Sequence, residues 1–219
     1  MNIEPVEKLT KFFEQYRLTT FKKGENIYRP GDLFEQISFI KSGFVRTYSV
    51  SESGEERTIH IFKPVFYFSL IYSLTDKENK YYFEAVTPVE LWKAPKSKVI
   101  EFIKSDPEIL FWITKSILKG FHELMENIEY LIAGDAPTKI NSLLLSFAQS
   151  FGEIENNSTV IQLAATHRII ASLTGLSRET VTLHIDKLKD QGILEKKEGL
   201  IVIHKLSELQ EESTFADSV

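Results

Sequence analysis

The chain has no cysteine, and that one absence removes several kinds of protein. Without thiols there is no disulfide framework, no cysteine-ligated zinc, no iron–sulfur cluster and no thiol redox sensor. Long apolar runs are also missing, since no stretch approaches the ~18 consecutive apolar residues of a membrane-spanning helix. The opening segment, MNIEPVEKLTKFFEQY, lacks a basic region followed by an apolar core. A cytoplasmic protein without membrane association is therefore expected. There is no glycine-rich phosphate loop, no serine elbow and no His-Glu-x-x-His pair, and the five histidines are scattered. No arrangement of carboxylates argues for an enzyme, and no metal site is expected. Basic charge is scarce too: 26 Lys and Arg stand against 31 Asp and Glu, a formal net charge of −5.

What is present is the composition of an ordinary globular protein, 42% hydrophobic and 26% charged over 219 residues, a length that suggests two domains. From Thr19 to about Pro95, short runs rich in β-branched and aromatic residues alternate with turn signals. These are Lys23-Gly24-Glu25, Arg29-Pro30-Gly31-Asp32, Lys41-Ser42-Gly43 and Glu52-Ser53-Gly54. The spacing predicts an antiparallel β-roll or sandwich. Within ISFIKSGFVRTYSV, Ile37, Phe39, Phe44, Val45, Tyr48 and Val50 are the expected buried positions, and Lys41-Ser42-Gly43 reads as a hairpin turn. The aromatic cluster Phe66, Tyr67, Phe68, Tyr72, Tyr81, Tyr82 and Phe83 reads first as a filled roll core. It could also line an effector pocket, with Lys80 available to an anion.

The period changes at Ser97. SKVIEFIKSDP predicts a short helix, and Ser105 or Asp106 can cap a long one running from about Pro107 to Ala133. Along that helix Leu110, Ile113, Ile117, Gly120, Leu124, Asn127 and Leu131 form a heptad seam suited to pairing two copies. Ile109, Phe121, Ile128 and Tyr130 lie outside the seam and offer a separate surface to the roll. The competing reading packs the seam itself on the roll. AGDAPTK then reads as a hinge, followed by the amphipathic helix TKINSLLLSFAQSF and a polar loop, GEIENNS. The expected domains are a roll over 1–106, a dimerisation helix and hinge over 107–135, and a last domain over 136–219.

ASLTGLSRETVTLHIDKLKDQGIL carries the most specific signal. Thr166 is placed to cap a first short helix and Ser177 to cap a second, with Thr174-Gly175-Leu176 as the turn between them. Val181, Ile185 and Leu188 must face the core. The opposite face carries Arg178, Glu179, Thr182 and Leu183, which a helix entering a major groove N-terminus first would present to base edges. Arginine can fork two hydrogen bonds to guanine, glutamate can accept from the cytosine amino group, and threonine or leucine methyls can meet thymine. Beyond Gly192, ILEKKEGLIVIHK predicts a hairpin with Glu198-Gly199 at its turn, the wing of a winged helix-turn-helix. From Thr166 to Lys205 the acidic balance reverses. Arg168, Arg178, Lys187, Lys189, Lys196, Lys197 and Lys205 outnumber Glu179, Asp186, Asp190, Glu195 and Glu198 by two. A surplus that small predicts double-stranded DNA binding that leans on two copies and on helix N-termini as well as on lysines.

FKKGENIYRPGD, FIKSGFVRTY, the long helix and IASLTGLSRETVTLHIDKLKDQGIL occur in the order found in the CRP/FNR superfamily of bacterial transcription regulators, which the chain resembles over nearly its whole length. The resemblance implies an α+β protein: an N-terminal antiparallel β-roll of the cyclic-nucleotide-binding jelly-roll type, a long dimerisation helix and a C-terminal winged helix-turn-helix. It implies a homodimer on a palindromic operator, with RNA polymerase as a further partner. The DNA-contacting set it implies is Thr166, His167, Arg168, Ser177, Arg178, Glu179, Thr182, Leu183 and Lys189. Two departures matter. Cyclic-AMP binders carry a Gly-Glu pair for the ribose and an Arg-Ser or Arg-Ala pair for the phosphate, where this chain has Ser69-Leu70 and Asn79-Lys80. Loss of those charge-assisted bonds predicts no cyclic-nucleotide cofactor, leaving room for an unknown small effector. Many relatives also have arginine where this chain has Leu183. Haem-sensing relatives use a histidine, for which His60 and His122 are the candidates, although a lone histidine is more often a hydrogen-bonded surface residue. The alternative to a regulator is a ligand-binding or protein-interaction module of the same fold that no longer binds DNA.

Overall fold

A computed structural model describes residues 3–75 and 77–211, apart from the side chains of 3, 126, 127, 130 and 133. Asn127 and Tyr130 of the long helix therefore fall outside the described side chains, and residues 212–219 of the expected last domain lie outside the described residues. The chain divides into two compact units, 1–120 and 121–219.

The first unit begins with α1 (Ile3–Phe13), followed by β1 (Arg17–Phe21), β2 (Asn26–Tyr28), β3 (Gln36–Ser42), β4 (Val45–Val50), β5 (Glu56–Phe62) and β6 (Phe66–Phe68). Then come α2 (Leu70–Thr75), β7 (Tyr82–Ala85), β8 (Val89–Pro95), α3 (Lys96–Ser105) and the start of α4 (Pro107–Ala133). Two antiparallel four-stranded sheets form, ordered β1-β8-β3-β6 and β2-β7-β4-β5. Strand alternation explains why β3 is buried on both faces. Ile40 joins Val45, Phe68, Phe83 and Leu91 in one cluster. Ile37 and Phe39 join a second cluster with Leu9 and Phe13 of α1, Val99 and Ile103 of α3, and Ile109 and Ile113 of α4.

The turn at Lys41-Ser42-Gly43 is not the hairpin that its residues suggest. β3 pairs with β8 and β6, whereas β4 pairs with β5 and β7, so the turn passes the chain from one sheet to the other. Gly43 permits this at φ 83°, and a Cβ there would meet the Pro88 carbonyl at 2.1 Å. The new strand is held by Phe44 N–H donating to Thr87 Oγ1 at 2.9 Å and Val86 N–H donating to the Phe44 carbonyl at 2.9 Å. Ile37, Phe39, Val45 and Tyr48 are buried as expected, Phe44 is half-buried, and Val50, at the end of β4, is exposed.

The aromatic segment fills the roll. Phe62, Phe68 and Phe83 stack with centroids 5.3–6.2 Å apart, and Phe34 stacks on Tyr72 at 4.9 Å. Sequence periodicity gave no sign of Arg46, which is buried on β4. It donates to Glu56 at 2.7 Å and to Glu84 at 2.8 Å and lies 4.3 Å from the Tyr48 ring centroid.

Asp106 decides the start of α4, its Oδ1 accepting from Glu108 N–H at 3.0 Å and Ile109 N–H at 3.3 Å. The assignment of faces along α4 needs correction. Ile109 packs on the roll as expected, but so does Ile113, which the seam had claimed, whereas Phe121 and Ile128, assigned to the roll, are exposed. Burying Ile109 and Ile113 stabilises the first turns of α4 on the roll by roughly 1.5–3 kcal/mol per side chain. Ile117, Leu118, Leu124, Met125, Leu131 and Ile132 stay exposed farther along.

In the second unit α5 (Ala136–Phe151) leads to β9 (Gly152–Glu155), β10 (Ser158–Ile161), α6 (His167–Thr174), α7 (Arg178–Asp190), β11 (Leu194–Lys197), β12 (Leu200–Ile203) and α8 (Leu206–Glu211). Asp135 caps α5 by accepting from Thr138 N–H at 2.9 Å, and Pro137 sits in the tolerated first turn. GEIENNS is no loop. It forms β9 and the turn into β10, with Asn156 and Asn157 both at positive φ, as a tight two-residue hairpin requires. The wing hairpin β11–β12 turns at Glu198-Gly199 as expected and continues into a four-stranded sheet ordered β11-β12-β10-β9.

Candidate nucleic-acid interface

Two capped helix starts build the interface. Thr166 Oγ1 accepts from Ile169 N–H to open α6, Gly175 closes that helix in the left-handed conformation at φ 70°, and Ser177 Oγ accepts from Thr180 N–H to open α7. Only glycine takes that left-handed position at no steric cost, which is why the turn can be so short. On α7, Val181, Ile185 and Leu188 are fully or almost fully buried, and the opposite side is left to solvent: Arg178 and Glu179 are exposed and Leu183 is 75% exposed. Thr166, Arg168 and Ser177 are exposed, with His167 half-buried.

Thr182 is placed differently from its expected role. Its hydroxyl donates to the Arg178 carbonyl at 2.8 Å and meets His167 Nδ1 at 2.8 Å, so it ties α6 to α7. Any base contact by Thr182 falls to its methyl group. Lys189 is half-exposed and paired with Asp186 at 2.8 Å, so a phosphate must compete with that carboxylate. Glu179 is held below the usual carboxylate range by its own backbone N–H and then by the Ser177 hydroxyl, which keeps it an ionised acceptor. Burial, then Lys196 and Lys189, push His167 below the ordinary imidazole value, against a weaker pull from Asp186.

Two features escaped the sequence. Lys196 on β11 is near enough to His167 for its charge to disfavour the imidazolium, a proximity that the sequence, which showed only the charge, did not record. His184, on the same helix as Arg178, is buried and hydrogen-bonded through Nε2 to Oδ1 of the fully buried Asn141 at 2.7 Å. Its helical phase beside Val181 and Ile185 marked a buried position, but not a polar one with a partner on α5.

In the roll, the residues at the expected nucleotide clamp serve the protein itself. Ser69 is buried at φ 73° with Oγ donating to the Gln36 carbonyl at 3.3 Å, and Leu70 is buried at the start of α2. Asn79 is 1% exposed. Its Nδ2 donates to the Arg29 and Tyr81 carbonyls at 2.7 Å each, and its Oδ1 accepts from Tyr81 N–H at 3.0 Å. Lys80 is exposed. The His60 ring packs edge-on against Phe62 at 4.7 Å. Among the described residues no group of three or more His, Asp or Glu could hold a metal ion, and no helix is long and apolar enough to cross a membrane.

Two family models match, a cyclic nucleotide-binding domain over residues 18–106 and a Crp-like helix-turn-helix domain over 138–212, together most of the chain. The chain is 29% identical to a global nitrogen regulator from Nostoc sp., over 85% of this chain and 84% of that protein. It is also 29% identical to the transcriptional regulator SdrP of Thermus thermophilus, over 88% of this chain and 92% of that one. A solved CRP/FNR-family transcriptional regulator, also from Thermus thermophilus, superposes with a TM-score of 0.72 at 28% identity, covering 90% of this chain and 98% of that one.

The chain belongs to the CRP/FNR superfamily. It is a DNA-binding transcription regulator of that superfamily, and its relatives are regulators, not enzymes. Where a cyclic-nucleotide clamp needs a ribose carboxylate the chain has buried Leu70, preceded by Ser69 bonded to the Gln36 carbonyl, and where it needs a phosphate guanidinium the chain has Asn79 bonded to the Arg29 and Tyr81 carbonyls. Arg46, a buried guanidinium elsewhere in the roll, is neutralised by two carboxylates. Neither arrangement fits a cyclic nucleotide.

Proposed function

We propose that this regulator acts as a homodimer on a two-fold symmetric operator, with α7 of each copy in the major groove. The observation that carries the reading is the exposed first half of α7. Arg178, Glu179 and Leu183 stand on one side of a helix whose other side is locked into the core, beside two capped helix N-termini. Arg178 forks to a guanine, Glu179 accepts from a cytosine amino group, and the Leu183 and Thr182 methyls contact thymine. Thr166, His167, Arg168, Ser177 and Lys189 meet phosphates and set register without reading sequence.

The dimer forms along α4, where Ile117, Leu124 and Leu131 keep their seam spacing and remain exposed in a single copy. The division of labour is a roll over 1–106, a connecting dimer helix and hinge over 107–135, and a DNA-binding domain over 136–219. The roll works without cyclic nucleotides. A different small effector, if it shifts the DNA-competent state from 1:99 to 99:1, must prefer that state by ~5.5 kcal/mol. RNA polymerase is the further partner, and the cytoplasm the place of action.

A gel shift with a random-sequence duplex at two salt concentrations, followed by selection from a random pool, tests the reading. Binding that weakens steeply with salt and yields a two-fold consensus supports it. The Lys189–Asp186 pair and the donorless Leu183 favour the second reading, a module of this fold that has lost DNA binding. Absence of any shift at low salt would establish that one instead.

A further inference from the structure

We propose that His167 is a proton-linked phosphate contact: neutral in the free protein, it gains a proton at Nε2 when DNA docks, so each half-site binds with uptake of about one proton. The inference rests on the groove reading above and adds a pH dependence to it.

Hydrogen-bond direction fixes which atom titrates. The Thr182 hydroxyl gives its single hydrogen to the Arg178 carbonyl at 2.8 Å, so toward His167 Nδ1, also at 2.8 Å, it accepts. That bond requires a proton on Nδ1 whether the ring is neutral or charged. Nε2 is therefore the titrating atom, and Thr182 holds the ring in place while its charge changes. Nε2 has no protein partner among the described residues.

The surroundings of the free ring favour its neutral form. Partial burial acts first, then Lys196 of β11 and Lys189 of α7. Asp186 of α7 pulls the other way but already pairs with Lys189. His167 is also the first residue of the capped helix α6, whose positive end opposes an imidazolium. DNA docking adds to the burial but offsets the charges that oppose an imidazolium. A phosphate facing the start of α6 places an anion beside the ring, and phosphates on Lys189 and Lys196 offset the two lysine charges.

The sign follows from linkage. When binding raises a group's pKa, the bound state holds more protons, so affinity rises as pH falls between the two values and is flat outside them. Each unit of difference is worth about tenfold per half-site. Lysine or arginine at this position would stay charged throughout, and only histidine changes charge near neutrality.

The test uses the full chain and a duplex carrying the consensus selected with the wild type, at constant ionic strength from pH 5.5 to pH 8.5 (roughly the imidazole range). For a dimer, the logarithm of affinity should fall as pH rises, with a slope no steeper than about −2, the limit of one proton per half-site. Calorimetry in buffers of different ionisation enthalpy should report the matching proton uptake. His167→Gln should be nearly flat in pH, at or below the wild type's high-pH affinity. His167→Arg should be flat and bind at least as tightly as the wild type at pH 8.5. His204→Gln, which removes the exposed wing histidine bonded to Ser158, should keep the wild-type slope. A flat wild-type profile, or a slope that survives in His167→Gln, overturns the proposal and leaves the groove reading intact. Failure to select any sequence overturns the groove reading and this inference with it.

Discussion

The His184–Asn141 bond offers a test in which two single replacements should hurt and the double should hurt less than their sum. Both residues are buried, Asn141 completely, and Nε2 lies 2.7 Å from Oδ1. The amide's other atom, Nδ2, is already buried without a partner. Asn141→Leu removes an acceptor and strands the His184 N–H, but it also removes that unpartnered donor. Its cost should sit at the low end of the usual penalty, about 1 kcal/mol. His184→Phe newly strands Oδ1 of Asn141, beside the Nδ2 that already lacks a partner, and should cost about 1–3 kcal/mol. In the double variant both members of this bond are gone together, so neither is left facing an apolar replacement and a coupling of about 1–2 kcal/mol should appear. Scanning calorimetry or far-ultraviolet circular dichroism reads the effect. Both tryptophans, Trp92 and Trp112, belong to the first unit, so the tryptophan-reported transition should stay put while the second unit's midpoint drops by about 4–8 °C per kcal/mol. Additive losses in the double variant would show that the bond contributes nothing to holding α7 on α5.

Replacing Ile117 and Leu124 with glutamate puts like charges into the proposed dimer seam and should give monomers by sedimentation; an unchanged assembly would rule the seam out. The Asp135 carboxyl is held below its ordinary value of 3.8, chiefly by the Thr138 hydroxyl and then the Thr138 N–H. Its contribution is present above that value and fades as pH falls through the lower folded one. Asp135→Ala should therefore cost about 0.5–2 kcal/mol at pH 7 and progressively less in acid, measured by calorimetry at both ends. Cyclic AMP and cyclic GMP should give no saturable heat on titration. A micromolar dissociation constant that depends on the cyclic phosphate would defeat the assignment of Ser69 and Asn79 to structural bonds.

Local rules made most of the DNA-binding domain legible. Thr166, Gly175 and Ser177 sit where caps and a left-handed turn are needed, and the apolar phase of Val181, Ile185 and Leu188 fixed which side of α7 is buried. Where partners are distant in sequence, legibility failed. Lys41-Ser42-Gly43 has hairpin composition, but nothing local records that β4 pairs with β5 and β7 instead of β3. Asn156-Asn157 carried a turn signal that the polarity of its neighbours concealed. Arg46 looks like a surface residue until Glu84 and Glu56 arrive from other strands, and the helical phase of His184 marks a buried position without naming Asn141 as its partner. Ile113 fits a heptad seam as well as it fits the roll, and spacing alone cannot choose between two apolar partners.

The reading of α7 as the groove helix is tested most directly by selecting bound sequences from a random pool with three proteins. Wild type should yield a two-fold consensus, and Arg178→Ala should relax one base pair per half-site at a cost of ~1–3 kcal/mol each. Leu183→Arg places a guanidinium at a position that is 75% exposed and lacks a donor. It should create a new guanine preference in each half-site while half-site spacing, set by the dimer, stays the same. The same consensus from wild type and Leu183→Arg would contradict the placement of this helix in the groove.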